Sequence, residues 1–282
     1  MAISLLNNIA ALEAQNQLQV TQSKLQNTLF QLSSGSRINS GADDAAGLAI
    51  ANGLQANVTA LNQSANNANN GVGALQVADG ALAQVTSLLN RAVTLATESA
   101  NGTVSTTQRS ALDAEFTQIK SEIDRIGSST TFNGTSVFTA NTTSIFLTDA
   151  SSAAANNTIG VTVGVLSQSA INYTGGTNVN LSTNDLTSAS NATTALGNID
   201  SAITNVAALR GQIGASVNRL QSAVNVINSQ VQNLTAAQDQ ITAANIPQQV
   251  TNLSEYSILN QSGISALAQA NSAQQSILKL LQ

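Results

Sequence analysis

The sequence predicts a mainly α protein: a long, antiparallel, coiled-coil-like helical rod built from N- and C-terminal segments, with a small β-hairpin section in the middle. Three observations carry this reading. Aliphatic residues recur every seven positions through both ends of the chain. One Pro in 282 residues leaves few obligatory helix breaks. Only near the centre does the pattern change to short β-prone runs separated by turn residues.

The first segment places Leu18, Leu25 and Leu32 at seven-residue spacing, with Leu5, Ile9 and Leu12 before them. It ends in Ser33-Ser-Gly-Ser36 and Asn39-Ser-Gly41, residue types that favour caps and turns over helix. A longer pattern begins near Asp43. Leu54, Leu61, Ala68, Leu75, Leu82 and Leu89 form one row. Ala51, Val58, Ala65, Val72 and Val93 form its companion, interrupted by Asp79 and Thr86. Gly71, Gly73 and Gly80 each cost about 1 kcal/mol against Ala in a helix. The sustained seam outweighs them and predicts one long helix.

A third helix follows from Leu112, Phe116, Ile119, Ile123 and Ile126, with Ser105 and Gln108 spaced as a capping box. The short connection around Gly102 turns it back antiparallel on the second. From Phe132 to about Thr183 the period shortens. Asn133-Gly134 is a hairpin signal, and 144–148 and 158–166 read as strands. Gly175-Gly176 marks a further turn, with a short strand at 179–181.

The fourth segment is the most regular. Its row runs from Leu196 through Ile199, Ile203, Val206, Ile213, Val217, Leu220, Val224, Ile227, Val231 and Leu234 to Ile241, broken only by Arg210 and Gln238. That is about 70 Å of helix. Pro247 then breaks the chain, and a last helix carries Val250, Leu253, Ile264, Leu267, Leu278 and Leu281. Helices this long cannot bury their seams alone. The two sets are expected to pair, with both termini at one end and the β section near the other.

Composition removes several functions. The chain has no Cys, no His and no Trp, so thiolate and imidazole ligands, disulfides and the commonest general base are all missing. These losses do not exclude an enzyme, but they remove the most frequent catalytic toolkits, and no catalytic, metal or cofactor site is expected. A net charge of −5 with 8% charged residues gives no nucleic-acid footprint. No apolar run approaches the roughly 20 residues that span a bilayer, so membrane insertion is not expected. Residues 1–12 lack a basic n-region and a sustained apolar core, so any export is expected without a cleaved Sec-type signal.

The first and last segments differ from the middle ones. Ser257, Asn260, Asn271 and Gln274 dilute the last row, while Ile258, Leu259, Ile277 and Leu280 lie off it. Apolar residues on several faces make sense if other copies of the chain bury them. Frayed bundle ends would give the same pattern.

Several motifs resemble the bacterial flagellins. At the N-terminal end these are Leu32-Ser-Ser-Gly-Ser-Arg-Ile-Asn-Ser40 and Asp43-Asp-Ala-Ala-Gly-Leu-Ala-Ile-Ala51. Ser64-Ala-Asn-Asn-Ala-Asn-Asn-Gly71, Ser99-Ala-Asn101, Glu122-Ile-Asp-Arg-Ile126 and Phe132-Asn-Gly134 follow in the family's order. Near the C-terminus, Ser262-Gly-Ile-Ser-Ala-Leu-Ala-Gln-Ala-Asn271 and Ile277-Leu-Lys-Leu-Leu281 are similar. The resemblance implies a structural subunit of the extracellular flagellar filament, polymerising with itself for swimming motility. It implies a flagellar type III export apparatus, an export chaperone and a filament cap protein as further partners. It also implies an inner-tube domain of residues 1–42 with 245–282 and an outer-tube rod of 43–130 with 190–244. Residues 131–189 form a small β-rich section, so the large surface insertion of many relatives is nearly missing. One departure is Ala243-Ala-Asn-Ile-Pro-Gln-Gln-Val250, where the family often has an acidic, Asp-Tyr-rich stretch.

The resemblance singles out three residue sets. Leu5, Ile9, Leu12, Leu18, Leu25, Leu267, Leu278 and Leu281 are expected in the polymerisation helices. Arg37, Asp43 and Asp44 sit at the turn, either as hinge and intersubunit contacts or as local helix caps. Arg91, Leu95 and Glu115 fall where flagellins present an epitope to a host Toll-like receptor; a solvated face is the plainer reading. A hook–filament junction protein shares the terminal signatures and is the alternative. A zinc protease on this scaffold would need His-Glu-x-x-His, which a chain without His cannot supply.

Overall fold

The computed structural model describes residues 8–140, 142–147, 158–173 and 176–280. Five helices dominate them: α1 (Ile9–Ser34), α2 (Ala45–Ala100), α3 (Thr106–Ser129), α4 (Ala189–Thr242) and α5 (Ile246–Leu280). Between α3 and α4 the described residues form three antiparallel strand pairs. They are β1 (Thr131–Phe132) with β2 (Thr135–Ser136), β3 (Thr143–Phe146) with β4 (Thr158–Val161), and β5 (Leu166–Ser167) with β6 (Ala170–Ile171). The chain divides into two compact units, Met1–Ala56 with Asn233–Gln282 and Asn57–Gln232.

Turn chemistry sets the helix ends. α1 stops at Gly35, whose φ of 68° is the left-handed cap that Gly adopts without a Cβ penalty. α3 starts with the expected capping box: the Ser105 hydroxyl accepts from the Gln108 amide and the Gln108 side chain reaches back. Asn133 and Gly134, with φ of 50° and 76°, form the hairpin turn that Asn-Gly favours. Pro247 does not break the chain. The interruption lies at 243–245, and Pro247 sits in the first turn of α5, where a missing N–H costs no hydrogen bond. Asn245 caps that turn.

In the unit of Asn57–Gln232, α2, α3 and α4 share one core. Leu82, Leu89, Phe116, Ile123, Ile199 and Leu209 are all fully buried. The Leu row of α2 is buried from Leu61 onward, but the companion row shifts. Beyond Val72, the buried positions are Ala78, Val85, Ala92 and Ser99, one residue before the expected ones. In α4, likewise, Ala195, Ala202 and Leu209 are buried, while Leu196 and Ile203 only flank the core. Here the buried residues of α2 join one cluster with those of α3, the β section and α4, which widens its buried face. A straight helix also drifts about 20° per heptad from a strict seven-residue repeat.

That shift places the row breaks on the flank. Asp79 and Arg210, each of which interrupts its own row, meet across α2 and α4 as a bidentate pair at 2.7 and 3.3 Å. α2 is long and apolar enough in composition to cross a bilayer. Its Leu82, Val85, Leu89 and Leu95 face this core instead.

The β section, expected near the end of the rod away from the termini, lies beside the middle of α2. Gly71 leaves room for Ile145, and Gly73 receives the Phe132 ring. The Asn67 side chain donates to the Phe146 carbonyl. Strand pairs this short cannot bury Ile145, Ile159 and Val161 between themselves, so they use the helix surface as their floor. Val179 forms an isolated bridge to Ile171 instead of the expected strand.

Candidate functional site

α1 and α5 pair antiparallel. The Asn8 side chain donates to the Ala270 carbonyl, Gly263 faces Leu18, and the Lys24 ammonium lies 5.9 Å from the Tyr256 ring centre. The seam on α1 is Ala11, Ala14, Leu18, Thr21, Leu25, Thr28 and Leu32, a regular four-three spacing. Thr21 and Thr28 are its most buried members. Their hydroxyls donate to the carbonyls of Gln17 and Lys24, which satisfies them inside the seam. On α5 the facing positions are Tyr256, Asn260, Gly263, Leu267 and Ala270. The seam therefore mixes leucines with small and polar residues.

Several other large hydrophobics lie outside it. Ile9 is 68% exposed, Leu12 60%, Phe30 67% and Ile258 66%. Val20, Ile50, Val250, Leu259 and Ile264 are exposed too. Ile9, Leu12, Val20 and Phe30 fall on the face of α1 opposite the seam. Leu18, Leu25 and Leu267 thus hold the pair together, whereas Ile9 and Leu12 face outward. Leu5, Leu281 and the side chain of Leu278 lie outside the described residues. The outward row on α1 is hard to see in the sequence because the leucine row competes with it. Its signal is the spacing of 9, 12, 20 and 30 on one side of a 3.6-residue helix.

At the turn, the three charged residues all make hydrogen bonds within the subunit. Asp44 accepts from the Gly47 amide at 2.8 Å and caps α2. Asp43 accepts from the amides of Asn39 and Ser40 and from the Ser40 hydroxyl, which hold its carboxyl below the usual range. The Arg37 guanidinium donates to the Ile241 carbonyl, and its backbone amide to Thr242. A cation on the last carbonyls of α4 complements the helix dipole.

On the other unit, Arg91 and Glu115 form a bidentate pair at 2.7 and 3.0 Å, with both side chains about half exposed. That contact lowers the Glu115 pKa and raises that of Arg91. Leu95 does not share their surface. It is 1% exposed and continues the buried stripe of Ala92 and Ala96. Two cations that no sequence motif marks are buried. Arg109 donates to the carbonyls of Ser99 and Asn101 at the end of α2, and Lys120 donates to the Asn184 carbonyl over the Phe116 ring. Their one signal in the sequence is placement on the inner side of an amphipathic helix.

Among the described residues, no group of three or more His, Cys, Asp or Glu converges as metal ligands would. A recess of about 780 Å³ between α2 and the β section is lined by Leu75, Phe132, Ile145, Val161 and Val163 with uncharged neighbours. Among the described residues, its lining holds no titratable group for acid–base work.

The chain is similar to known proteins at both ends. Residues 5–143 match the bacterial flagellin N-terminal helical region, and residues 196–281 match the C-terminal helical region. Polar flagellin F of Vibrio parahaemolyticus is 43% identical over 134 residues, 48% of this chain and 36% of that one. A flagellin of Salmonella muenchen is 44% identical over 143 residues, 51% of this chain and 28% of that one. The matched segments thus span about a third of these curated relatives. A structure described as a putative flagellar hook-associated protein from Vibrio parahaemolyticus shares the fold. It has a TM-score of 0.57 at 17% identity and covers 71% of this chain and 100% of that one. With both terminal regions matched in order, on a fold of paired terminal helices, the chain belongs to the bacterial flagellin family.

Proposed function

We propose that the chain is a structural subunit that polymerises into the extracellular flagellar filament of a bacterium. The observation that carries this is the row of large hydrophobic side chains left exposed on the α1–α5 pair. Leucines alternate with Ala, Thr, Asn and Gly in its seam, while Ile9, Leu12, Phe30 and Ile258 face outward. An exposed apolar face of this extent is stabilised when another copy covers it. Contacts between unlike surfaces of identical chains extend into helical polymers. On this reading residues 1–42 and 245–282 build the inner tube, and 43–130 with 190–244 the outer tube. The export apparatus, its chaperone and the filament cap are the partners of delivery and growth.

Electron microscopy of sheared extracellular filaments, with peptide identification, tests the proposal. Recovery of this chain as the bulk of the filament supports it. Recovery in only a few copies at the filament base would favour the hook–filament junction reading. Recovery solely as an intracellular monomer would overturn both. The exposed Arg91–Glu115 pair is the place for a Toll-like receptor contact, without Leu95. Receptor activation by purified monomer, reduced by Arg91→Ala, is the expected result; an inert intact chain removes that partner.

A further inference from the structure

Asn-Gly occurs four times, at Asn52, Asn70, Asn101 and Asn133. The backbone holds these four pairs in different states. Asn52 and Asn70 lie inside α2, where the amides of Gly53 and Gly71 belong to the helical ladder. Asn133 is fixed with φ at 50° in the β1–β2 turn, with Phe132 and Thr135 paired on either side. Asn101 lies just past the end of α2, in an exposed turn.

Its side chain curls back over its own backbone: Oδ1 accepts from the Thr103 amide at 3.2 Å. This is the local Asn turn in which the side-chain carbonyl lies over the following peptide. A second contact falls on that peptide itself. The carbonyl oxygen of Asn101 accepts from Arg109 Nη2 at 2.7 Å and from the Val104 amide at 3.2 Å. Arg109 is held there by its other bond, from Nε to the Ser99 carbonyl at 2.9 Å. Gly102 has open space around it, with no neighbouring atom within 4 Å of where a Cβ would stand.

The geometry points to Asn101 as a site of self-catalysed deamidation. The Gly102 nitrogen loses its proton and attacks Cγ of Asn101, forming the five-membered succinimide. The side-chain nitrogen takes up a proton and leaves as ammonia. Water then opens the ring to aspartate or isoaspartate, with no redox change. Two donors assist this sequence. Arg109 stabilises the negative charge that the deprotonated Asn101–Gly102 peptide spreads onto its carbonyl oxygen. The Thr103 amide donates to Oδ1, where charge develops in the tetrahedral intermediate, as donors in an oxyanion hole do. The other three Asn-Gly pairs lack this combination. Isoaspartate adds one main-chain carbon to the α2–α3 turn, and either product places a new carboxylate beside Arg109.

The test compares the folded full-length chain with the same chain in denaturant, both at mildly alkaline pH. Peptide mapping quantifies Asp and isoAsp at each Asn-Gly over time. In the folded chain Asn101 reacts fastest, about tenfold or more ahead of Asn133, as one lost transition-state hydrogen bond would give. Asn101 also reacts faster folded than unfolded. In Gly102→Ala, which has room for its methyl group and keeps the fold, the product at position 101 falls away. Slower reaction in the folded chain than in denaturant overturns the inference, because the sequence alone would then account for the chemistry. Equal rates at Asn101 and Asn133 in the folded chain overturn it too.

Discussion

Replacing Ile258 by Ser separates the assembly surface from the fold. Ile258 is 66% exposed in the subunit and lies away from the Tyr256–Gly263 seam. Burying a whole Ile side chain is worth about 1.5–3 kcal/mol. The exposed two-thirds therefore represents about 1–2 kcal/mol recoverable only on contact with another copy. At about 1.4 kcal/mol per factor of ten, Ile258→Ser raises the critical concentration for polymerisation about fivefold to thirtyfold. Seeded assembly, followed by sedimentation across a concentration series, measures that number. The melting of the monomer stays unchanged, because the side chain is already in water. Leu25→Ser is the contrasting variant. Leu25 is half-buried in the α1–α5 seam, so its replacement lowers the helix content and melting temperature of the monomer. An unchanged critical concentration for Ile258→Ser, or a monomer loss as large as that of Leu25→Ser, would refute the assignment of the outward face to assembly.

Further outcomes follow from the packing. Gly127→Ala and Gly80→Ala have opposite signs by chemical denaturation. A Cβ on Gly127 runs into the Leu166 carbonyl and destabilises by about 1–3 kcal/mol, whereas Gly80 has open space and gains about 0.4–1 kcal/mol. Leu89→Ala, at 0% exposure among α2, α3 and α4, costs about 2–5 kcal/mol in the same assay. Lys120→Met strands the Asn184 carbonyl and costs about 1–3 kcal/mol, although it removes a buried charge. The acid limb of the stability curve carries a contribution from Asp43, whose folded pKa is depressed. Its stabilisation is present above the ordinary carboxylate range and is lost as pH falls through the lower folded value; Asp43→Asn flattens that limb.

Local chemistry makes much of the fold legible. Gly35, Asn133-Gly134 and the Ser105–Gln108 box act through contacts within a few residues, so the sequence states them directly. The Leu row of α2 is legible for the same reason. Which companion row is buried is not, because Ala78 or Asp79 faces inward according to how many neighbours the helix has. Arg210 reads as a defect in α4 until Asp79, 131 residues away in sequence, supplies its partner. The β section lies elsewhere than the pattern suggests because Gly71 and Gly73 read as helix weaknesses instead of seats for Ile145 and Phe132. In the candidate site, motif position puts Leu95 on the surface, and only three-dimensional packing shows that its row turns inward. The α1 outward row is visible in principle, but two opposed apolar faces on one helix blur the pattern that each would show alone.

The chain reversal after α1 has a mechanical consequence. Ser36 and Ala243 form an antiparallel bridge, the Arg37 amide donates to Thr242 at 2.7 Å, and the Ala244 amide donates to Gly35 at 2.9 Å. The two places where the helical backbone is interrupted are therefore stitched to one another. Neither can untwist without breaking the other's hydrogen bonds, so a torque applied at this level is met by both strands at once. The two turn segments, 35–37 and 242–244, therefore resist untwisting together.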